Sequence, residues 1–233
     1  AYEIRLTLVG SEMCIRDRAE GWRYVTGWTG LFLIILLAML VNFLISPAFS
    51  LLPLVVTEHF EKGAYELGLI NSVFGIGLII GGLVLSAWGG FKNRILTSLA
   101  ALSISGLASL TVGIAPSNMY ILALIGMGVF GFLNPIINGP LFAIMQDKVE
   151  PHIQGRVFSL IQAGASLATP LGLAIAGPIS DAINNQIWFV IGGILTSAAG
   201  LIAFFIPSII EVGKPTTLFS TKETTAPSPE LEY

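Results

Sequence analysis

Long apolar segments separated by short polar turns dominate the pattern of this chain from about residue 28 onward. A helix needs about 20 apolar residues to cross a hydrocarbon core of about 30 Å, and six segments reach that length. The pattern therefore predicts an all-α membrane protein with six transmembrane helices. We place them at residues 28–56, 67–88, 95–115, 119–146, 156–180 and 186–209.

The segment 154–181 has small residues at every fourth position, from Gly164 through Gly172 to Ser180. Such a ridge lets two membrane helices approach closely, where lipid removes the hydrophobic drive for association. We expect Gly164, Gly172 and Gly177 to serve packing. A proline inside a membrane helix frees a carbonyl that neighbouring groups must satisfy, so we also expect bends at the prolines. These are Pro47, Pro53, Pro135, Pro140, Pro170 and Pro178.

Composition supports a lipid environment, since 54% of the residues are hydrophobic and only 11% are charged. Soluble domains carry about 25% charged residues. The net charge of −3, with scattered basic residues, does not suggest nucleic-acid binding. The single cysteine, Cys14, excludes an internal disulfide, and His59 and His152 are far apart. We therefore expect neither a metal site nor a cofactor.

The polar residues at mid-membrane depth are neutral. An apolar wall with a few polar groups suits a bulky or amphipathic ligand, so we expect a central cavity. The alternative is that each amide only bonds between helices and holds the bundle together. The candidate cavity residues are Asn42, Phe43, Asn71, Phe130, Asn134, Asn138 and Gln162.

Lysine and arginine fall mainly on one side of the predicted bundle. Cytoplasmic loops carry the excess of these residues, so that side and both chain ends are predicted to be cytoplasmic, in the inner (plasma) membrane. The only basic residue on the other side is Lys62. The cytoplasmic set is Arg23, Lys92, Arg94, Lys148, Arg156, Lys214 and Lys222.

The two ends of the chain differ from the rest. Residues 1–18 are too polar for a span and lack a signal-peptide core, and residues 9–18 resemble translated sequencing-adaptor read-through. The alternative is an ordinary cytoplasmic segment. Residues 211–233 are rich in Thr, Pro and Glu, which predicts a disordered cytoplasmic tail. Residues 19–210 then form the six-helix transporter unit.

Two charged loops resemble those of major facilitator superfamily transporters, in the branch of macrolide-efflux and siderophore-export proteins. In the first loop Gly89, Lys92 and Arg94 match, whereas Ser86 and Ala87 stand where the family has an acid and a base. The resemblance implies the C-terminal half of a twelve-helix transporter, whose N-terminal six-helix half would be the partner. The arrangement of small-residue helices suggests a 3+3 inverted repeat. The second loop contains Asp147, Lys148, Glu150, Gly155 and Arg156, which we expect to gate the cytoplasmic side. The alternative is that this loop is only a solvated anchor.

The predicted function is export of a bulky or amphipathic solute, itself a small molecule, by a secondary transporter. No ionisable residue is predicted at mid-depth, so the titrating group of a proton antiporter would have to lie in the other half. An intramembrane enzyme would need an activated nucleophile beside a base, and neither histidine is embedded, so we do not expect catalysis. The alternative function is a non-transporting membrane scaffold or assembly protein.

Overall fold

A computed structural model describes residues 26–213, apart from the side chain of Asp181. The described residues are helical, with no strand among them. Predictions about residues 1–18 and about the tail beyond residue 213 lie outside this part. The helices are α1 (Thr29–Leu54, continued by a π-helical turn, Val55–His59), α2 (Ala64–Trp88), α3 (Arg94–Ile114), α4 (Tyr120–Lys148), α5 (Pro151–Ala182), α6 (Ile187–Ala203) and the short α7 (Pro207–Val212).

Helices α1 to α5 are long and apolar enough to cross a membrane, and α6, with 17 residues, is a shorter apolar helix. The chain is thus a multi-pass membrane protein in a lipid bilayer, as predicted. The prediction of one continuous span at 186–209 was wrong. Pro207 lacks an N–H group and forces Ile206 into an extended conformation (φ −94°, ψ 105°), so α6 ends at Ala203 and α7 begins at Pro207.

Local sequence explains the helix ends. The Asn93 side chain accepts a hydrogen bond from the Ile95 N–H at 3.2 Å and so caps the start of α3. Pro151 occupies the first turn of α5, where its missing N–H costs nothing. Gly89 ends α2 in the left-handed region, at φ 74°, a conformation that glycine adopts without strain.

The helices pack in the spatial order α2–α4–α3–α6–α1–α5, so α3 lies in the core and α2 and α5 lie at the two edges. Close approach of α2 to α4 depends on glycine, because a Cβ at Gly77 or Gly81 would overlap the α4 backbone at Phe132. This confirms that these glycines pack within the bundle.

The small-residue ridge of α5 packs onto α1. Gly164 lies against the Met39 side chain, and Gly172 lies against Pro47 and the Phe43 carbonyl, which is the carbonyl that Pro47 frees. At Gly177 no atom lies within 4 Å of where its Cβ would be, so its packing role stays a prediction. The prolines at 47, 53, 135, 140, 170 and 178 all lie inside helices that continue through them.

Candidate binding cavity

The two ends of the bundle differ, and we name them by their residues. The basic end is the one with Arg94, Lys148 and Arg156, and the far end is the one with His59 and Asn184. An apolar cluster closes the far end, where side chains of α1, α2, α3, α4 and α6 are buried together. Phe189, at 2% exposure, and Ile70, at 0%, are at its centre.

Three aromatic rings form the boundary of this cluster toward the basic end. The ring centroids of Phe49 and Phe74 are 5.4 Å apart, and those of Phe49 and Phe130 are also 5.4 Å apart. They join α1 to α2 and α4. We call these three residues the aromatic layer.

A cavity begins at the aromatic layer and extends toward the basic end between α1, α3 and α4. Its volume is about 200 Å³, and it is partly open to the outside. Most of its wall is aliphatic, and Ile209 of α7 lies at its basic end. The wall contains no charged side chain among the residues that the structure describes. Its polar residues are Asn42, Ser98, Ser105, Asn134 and Asn138.

Helix geometry places the amides of α1 and α4 at one depth. From the Phe49–Phe130 contact, Asn42 is seven residues toward the basic end and Asn138 is eight. At 1.5 Å per residue these steps are about 10 and 12 Å, so the two amides face the cavity from opposite walls at the same level. The Asn42 amide donates to the Ala38 carbonyl at 2.8 Å, and the Asn138 amide donates to the Asn134 carbonyl at 3.0 Å. Their donors are thus partly used within each helix, while their carbonyl oxygens can accept.

The structure brings four of the seven predicted cavity residues together, namely Asn42, Phe130, Asn134 and Asn138. The other three do not line the cavity. Asn71 lies on the exposed face of α2, where its amide donates to the Leu67 carbonyl at 2.8 Å, and Gln162 lies on the exposed face of α5. Phe43 lies beside Gly172 of α5. The depth of a residue along a helix follows from its position in the sequence. Which side of the helix faces the cavity cannot be predicted in this way when the helix is apolar on all sides.

Sequence reasoning missed the contribution of α3. Ser98 and Ser105 line the cavity, together with Leu102 between them. Their spacing of seven residues puts them on one helix face, which is the signal that could have identified them. Single serines in an apolar helix do not otherwise distinguish a cavity wall from ordinary packing.

At the basic end, Arg94 at the start of α3 forms an ion pair with Asp147 at the end of α4. The two side chains are 47% and 60% exposed, so the pair contributes about 0–1 kcal/mol to stability. Two of the predicted loop residues thus meet. The His152 ring lies 3.5 Å from the Glu150 carboxylate. Lys92 and Gly155 are exposed, and Lys148 and Arg156 are partly exposed.

The short helix α7 is tied to the same end. The Asn93 amide donates to the Ile210 carbonyl at 3.2 Å, and Gly30 of α1 lies directly against Ser208. Ile209 and Val212 are buried against Ile95. Helix α7 therefore covers the basic end of the cavity, beside the start of α3.

The far end has a hollow of its own beside the π-helical turn, lined by residues that include Glu58, His59 and Ser180. The His59 ring is hydrogen-bonded to the Ala115 carbonyl at 3.0 Å, and Asn185 donates to Glu58. Within residues 26–213 no group of three His, Cys, Asp or Glu side chains is arranged to hold a metal ion.

Comparison with known proteins explains the architecture. The sequence profile described as Major Facilitator Superfamily matches residues 21–229. The chain belongs to the Major Facilitator Superfamily. The expected family membership, and with it the all-α membrane fold, is thereby confirmed. No solved structure matches the chain.

Curated relatives within this superfamily carry names of efflux proteins. Macrolide efflux protein A of Streptococcus pyogenes is 30% identical over 200 residues, which are 86% of this chain and 49% of that protein. Macrolide efflux protein A of Enterococcus faecalis is 31% identical over 159 residues, 68% of this chain and 49% of that protein. The multidrug efflux pump Tap of Mycolicibacterium fortuitum is 31% identical over 150 residues, 63% of this chain and 36% of that protein. This superfamily chain thus spans about half the length of the macrolide efflux relatives.

Proposed function

We propose that this chain is one half of an efflux transporter and that a bulky, amphipathic solute binds in the cavity between α1, α3 and α4. The observation that carries the proposal is the cavity wall itself. Aliphatic side chains and the aromatic layer offer apolar contact, and Asn42, Asn134 and Asn138 offer hydrogen bonds. A transporter needs no catalytic group, and we assign none to this wall.

The relatives supply the class of solute to test. Three of the proteins named above are called macrolide or multidrug efflux proteins, and a macrolide is a large, mostly apolar ring with hydroxyl and carbonyl groups. Those groups match a wall of apolar side chains and amides. We therefore use erythromycin, a macrolide, as the probe.

A second six-helix half is the proposed partner. The edge helices α2 and α5 leave long apolar stripes uncovered. Ile79 and Leu83 of α2 are each 66% exposed, and Leu167 and Leu171 of α5 are 65% and 60% exposed. We propose that the other half covers part of these stripes and that lipid covers the rest. Co-expression of the chain with the other half, followed by purification through a tag on one of them, should recover both. Recovery of the tagged half alone would contradict the partnership.

The basic end is proposed to face the cytoplasm, because lysine and arginine accumulate on the cytoplasmic side of membrane proteins. With both chain ends on that side of the inner membrane, release of α7 would open the cavity toward the compartment from which an exported solute enters. A tag at the chain terminus that reacts with a membrane-impermeant label on intact cells would contradict this orientation.

The proposal is tested by solute accumulation in cells that express the full-length transporter. Asn138→Leu removes an amide from the cavity wall and should slow erythromycin efflux about 5-fold or more, the equivalent of one lost hydrogen bond. The matched control is Asn118→Leu, the same change at an exposed position in the turn between α3 and α4. Equal efflux by both variants would contradict the cavity. If the unmodified protein exports no erythromycin, the result would favour the alternative function of a non-transporting membrane scaffold.

A further inference from the structure

Helix α3 carries an unusual number of buried hydroxyl groups for a core membrane helix. Thr97, Ser98, Ser103, Ser105 and Ser109 are all at most 8% exposed. A hydroxyl buried without a partner is costly, so membrane serines and threonines ordinarily bond to a carbonyl of their own helix or of a neighbour.

All but one of these five hydroxyls have a partner. Ser103 donates to the Leu99 carbonyl at 3.0 Å, Ser105 to the Leu102 carbonyl at 2.8 Å, and Ser109 to the Phe189 carbonyl of α6 at 3.2 Å. Thr97 accepts from the Phe91 N–H at 2.8 Å. The Ser98 hydroxyl has none among the described residues.

Ser98 also differs from the other buried hydroxyls without a partner in where it lies. Three buried hydroxyls lack a partner in the described part of the chain, at Ser98, Ser180 and Thr196, and of these only Ser98 lines the cavity between α1, α3 and α4. Ser98 is 2% exposed and its hydroxyl oxygen has almost no accessible surface, so the hydroxyl lies just behind the cavity surface in the rotamer present. Rotation of the side chain about χ1 would direct the hydroxyl toward a group in the cavity.

The chemistry of the other polar groups indicates what kind of group this is. The Asn138 amide donates to Asn134 and the Asn42 amide donates to Ala38, so these two residues have side-chain oxygens that can accept from a solute. The Asn134 side-chain oxygen accepts from Asn138, so Asn134 offers its NH2 group, and Ser98 adds a hydroxyl donor on the α3 wall. A solute that satisfies both must carry hydroxyl groups and, within reach of α3, an acceptor oxygen.

We propose that the Ser98 hydroxyl donates a hydrogen bond to a neutral acceptor oxygen, of a ketone, ester or ether, on the transported solute. Ser98 thereby selects oxygen-rich solutes over purely apolar ones of the same size. This inference rests on the proposed function, because it assigns a role to a residue of the same cavity.

The test is equilibrium binding of radiolabelled erythromycin to the full-length transporter in lipid nanodiscs, with Ser98→Ala and the matched control Ser103→Ala. Both serines are buried on α3, but Ser103 does not line the cavity and its hydroxyl is bonded to the Leu99 carbonyl. Ser98→Ala should weaken binding about 3- to 10-fold, whereas Ser103→Ala should change it less than about 2-fold. The melting temperature separates a binding role from a structural one. Ser98→Ala removes an unpaired buried hydroxyl, so the variant should melt no lower than the unmodified protein.

The outcomes are distinct. If Ser98→Ala leaves erythromycin binding unchanged, or if both variants weaken it equally, the proposed role of Ser98 is overturned. The proposal that the solute binds in the cavity would not be affected. A lower melting temperature of Ser98→Ala, with weaker binding to match, would assign Ser98 a structural role and overturn the proposal. If the unmodified protein does not bind erythromycin at all, the proposed function itself fails.

Discussion

The far end and the basic end of this bundle are built from the same helices but are held together differently. At the far end, buried hydrogen bonds join different helices: Gln186 donates to the Val112 and Ala115 carbonyls at 3.1 and 3.0 Å, and the Trp188 indole donates to the Leu44 carbonyl at 2.9 Å. At the basic end, the Arg94–Asp147 ion pair is exposed and a cavity separates α1 from α4. Buried bonds are costly to break and exposed pairs are not.

This difference indicates which movements the chain permits. We expect the far end to move as one rigid block, so that access of the cavity to the far side would come from movement between this chain and the proposed other half. We expect the basic end, in contrast, to open locally when the Arg94–Asp147 ion pair and α7 are released. The predictions below test this comparison by weakening each end in turn.

The largest expected effect is at Trp188, which is 3% exposed in the far-end cluster. Trp188→Ala should reduce the free energy of unfolding by about 3–5 kcal/mol, because it leaves a large cavity and frees the Leu44 carbonyl. Thermal unfolding of the purified protein in detergent measures this. Trp88→Ala is the control, since Trp88 is 49% exposed at the end of α2. Equal losses at both positions would show that the far end is not the rigid block.

A smaller loss is expected at Gln186, which is 6% exposed. Gln186→Leu leaves the Val112 and Ala115 carbonyls without this partner and should cost about 1–3 kcal/mol. Gln162→Leu makes the same change on the exposed face of α5 and should cost less than about 0.5 kcal/mol. A neutral Gln186→Leu would mean that water or neighbouring groups already satisfy both carbonyls.

The smallest effect on stability is expected at the basic end. Arg94→Gln should change the free energy of unfolding by less than about 1 kcal/mol, because the ion pair with Asp147 is exposed. Its effect should appear in transport, since the pair connects α3 to α4 beside the cavity. The exchange of both charges, Arg94→Asp with Asp147→Arg, should restore the erythromycin efflux rate that either single change lowers. Normal efflux by the single variants would remove the gating role.

Arg156 lies in the same predicted gate and tests it independently. Arg156→Gln should slow efflux of erythromycin without reducing the amount of protein in the membrane, which a surface-protein blot measures. An unaltered efflux rate would restrict the gate to the Arg94–Asp147 pair.

The sequence was sufficient to predict the helices, because apolar length determines a membrane span almost by itself. It also predicted that Asn134 and Asn138 lie at cavity depth, and that Gly172 packs closely. It did not predict which face each residue occupies. Asn71 and Gln162 have the right depth but lie on exposed faces, because α2 and α5 are apolar on nearly every side and give no signal of orientation.

Two further features needed the structure. Ser98 is one of several serines in α3, and only the hydrogen bonds of the others show that it is the exception. The break between α6 and α7 depends on Pro207. In the sequence, Pro207 looks no different from the prolines within α1 and α5, and those helices continue through their prolines. A proline in a membrane helix ends it only where no neighbouring group satisfies the freed carbonyls, and that is a tertiary property.

The central claim is that a solute occupies the cavity between α1, α3 and α4 at the level of Asn138. It is tested most directly by solute protection of a single cysteine, introduced as Asn138→Cys in the full-length transporter after every other cysteine, Cys14 included, has been removed. N-ethylmaleimide should label this cysteine, and erythromycin should slow the labelling, whereas Ser117→Cys in the exposed far-end turn should be labelled at the same rate with and without erythromycin. The account would be contradicted if erythromycin does not slow the labelling of Asn138→Cys, or slows it only as much as it slows the labelling of Ser117→Cys.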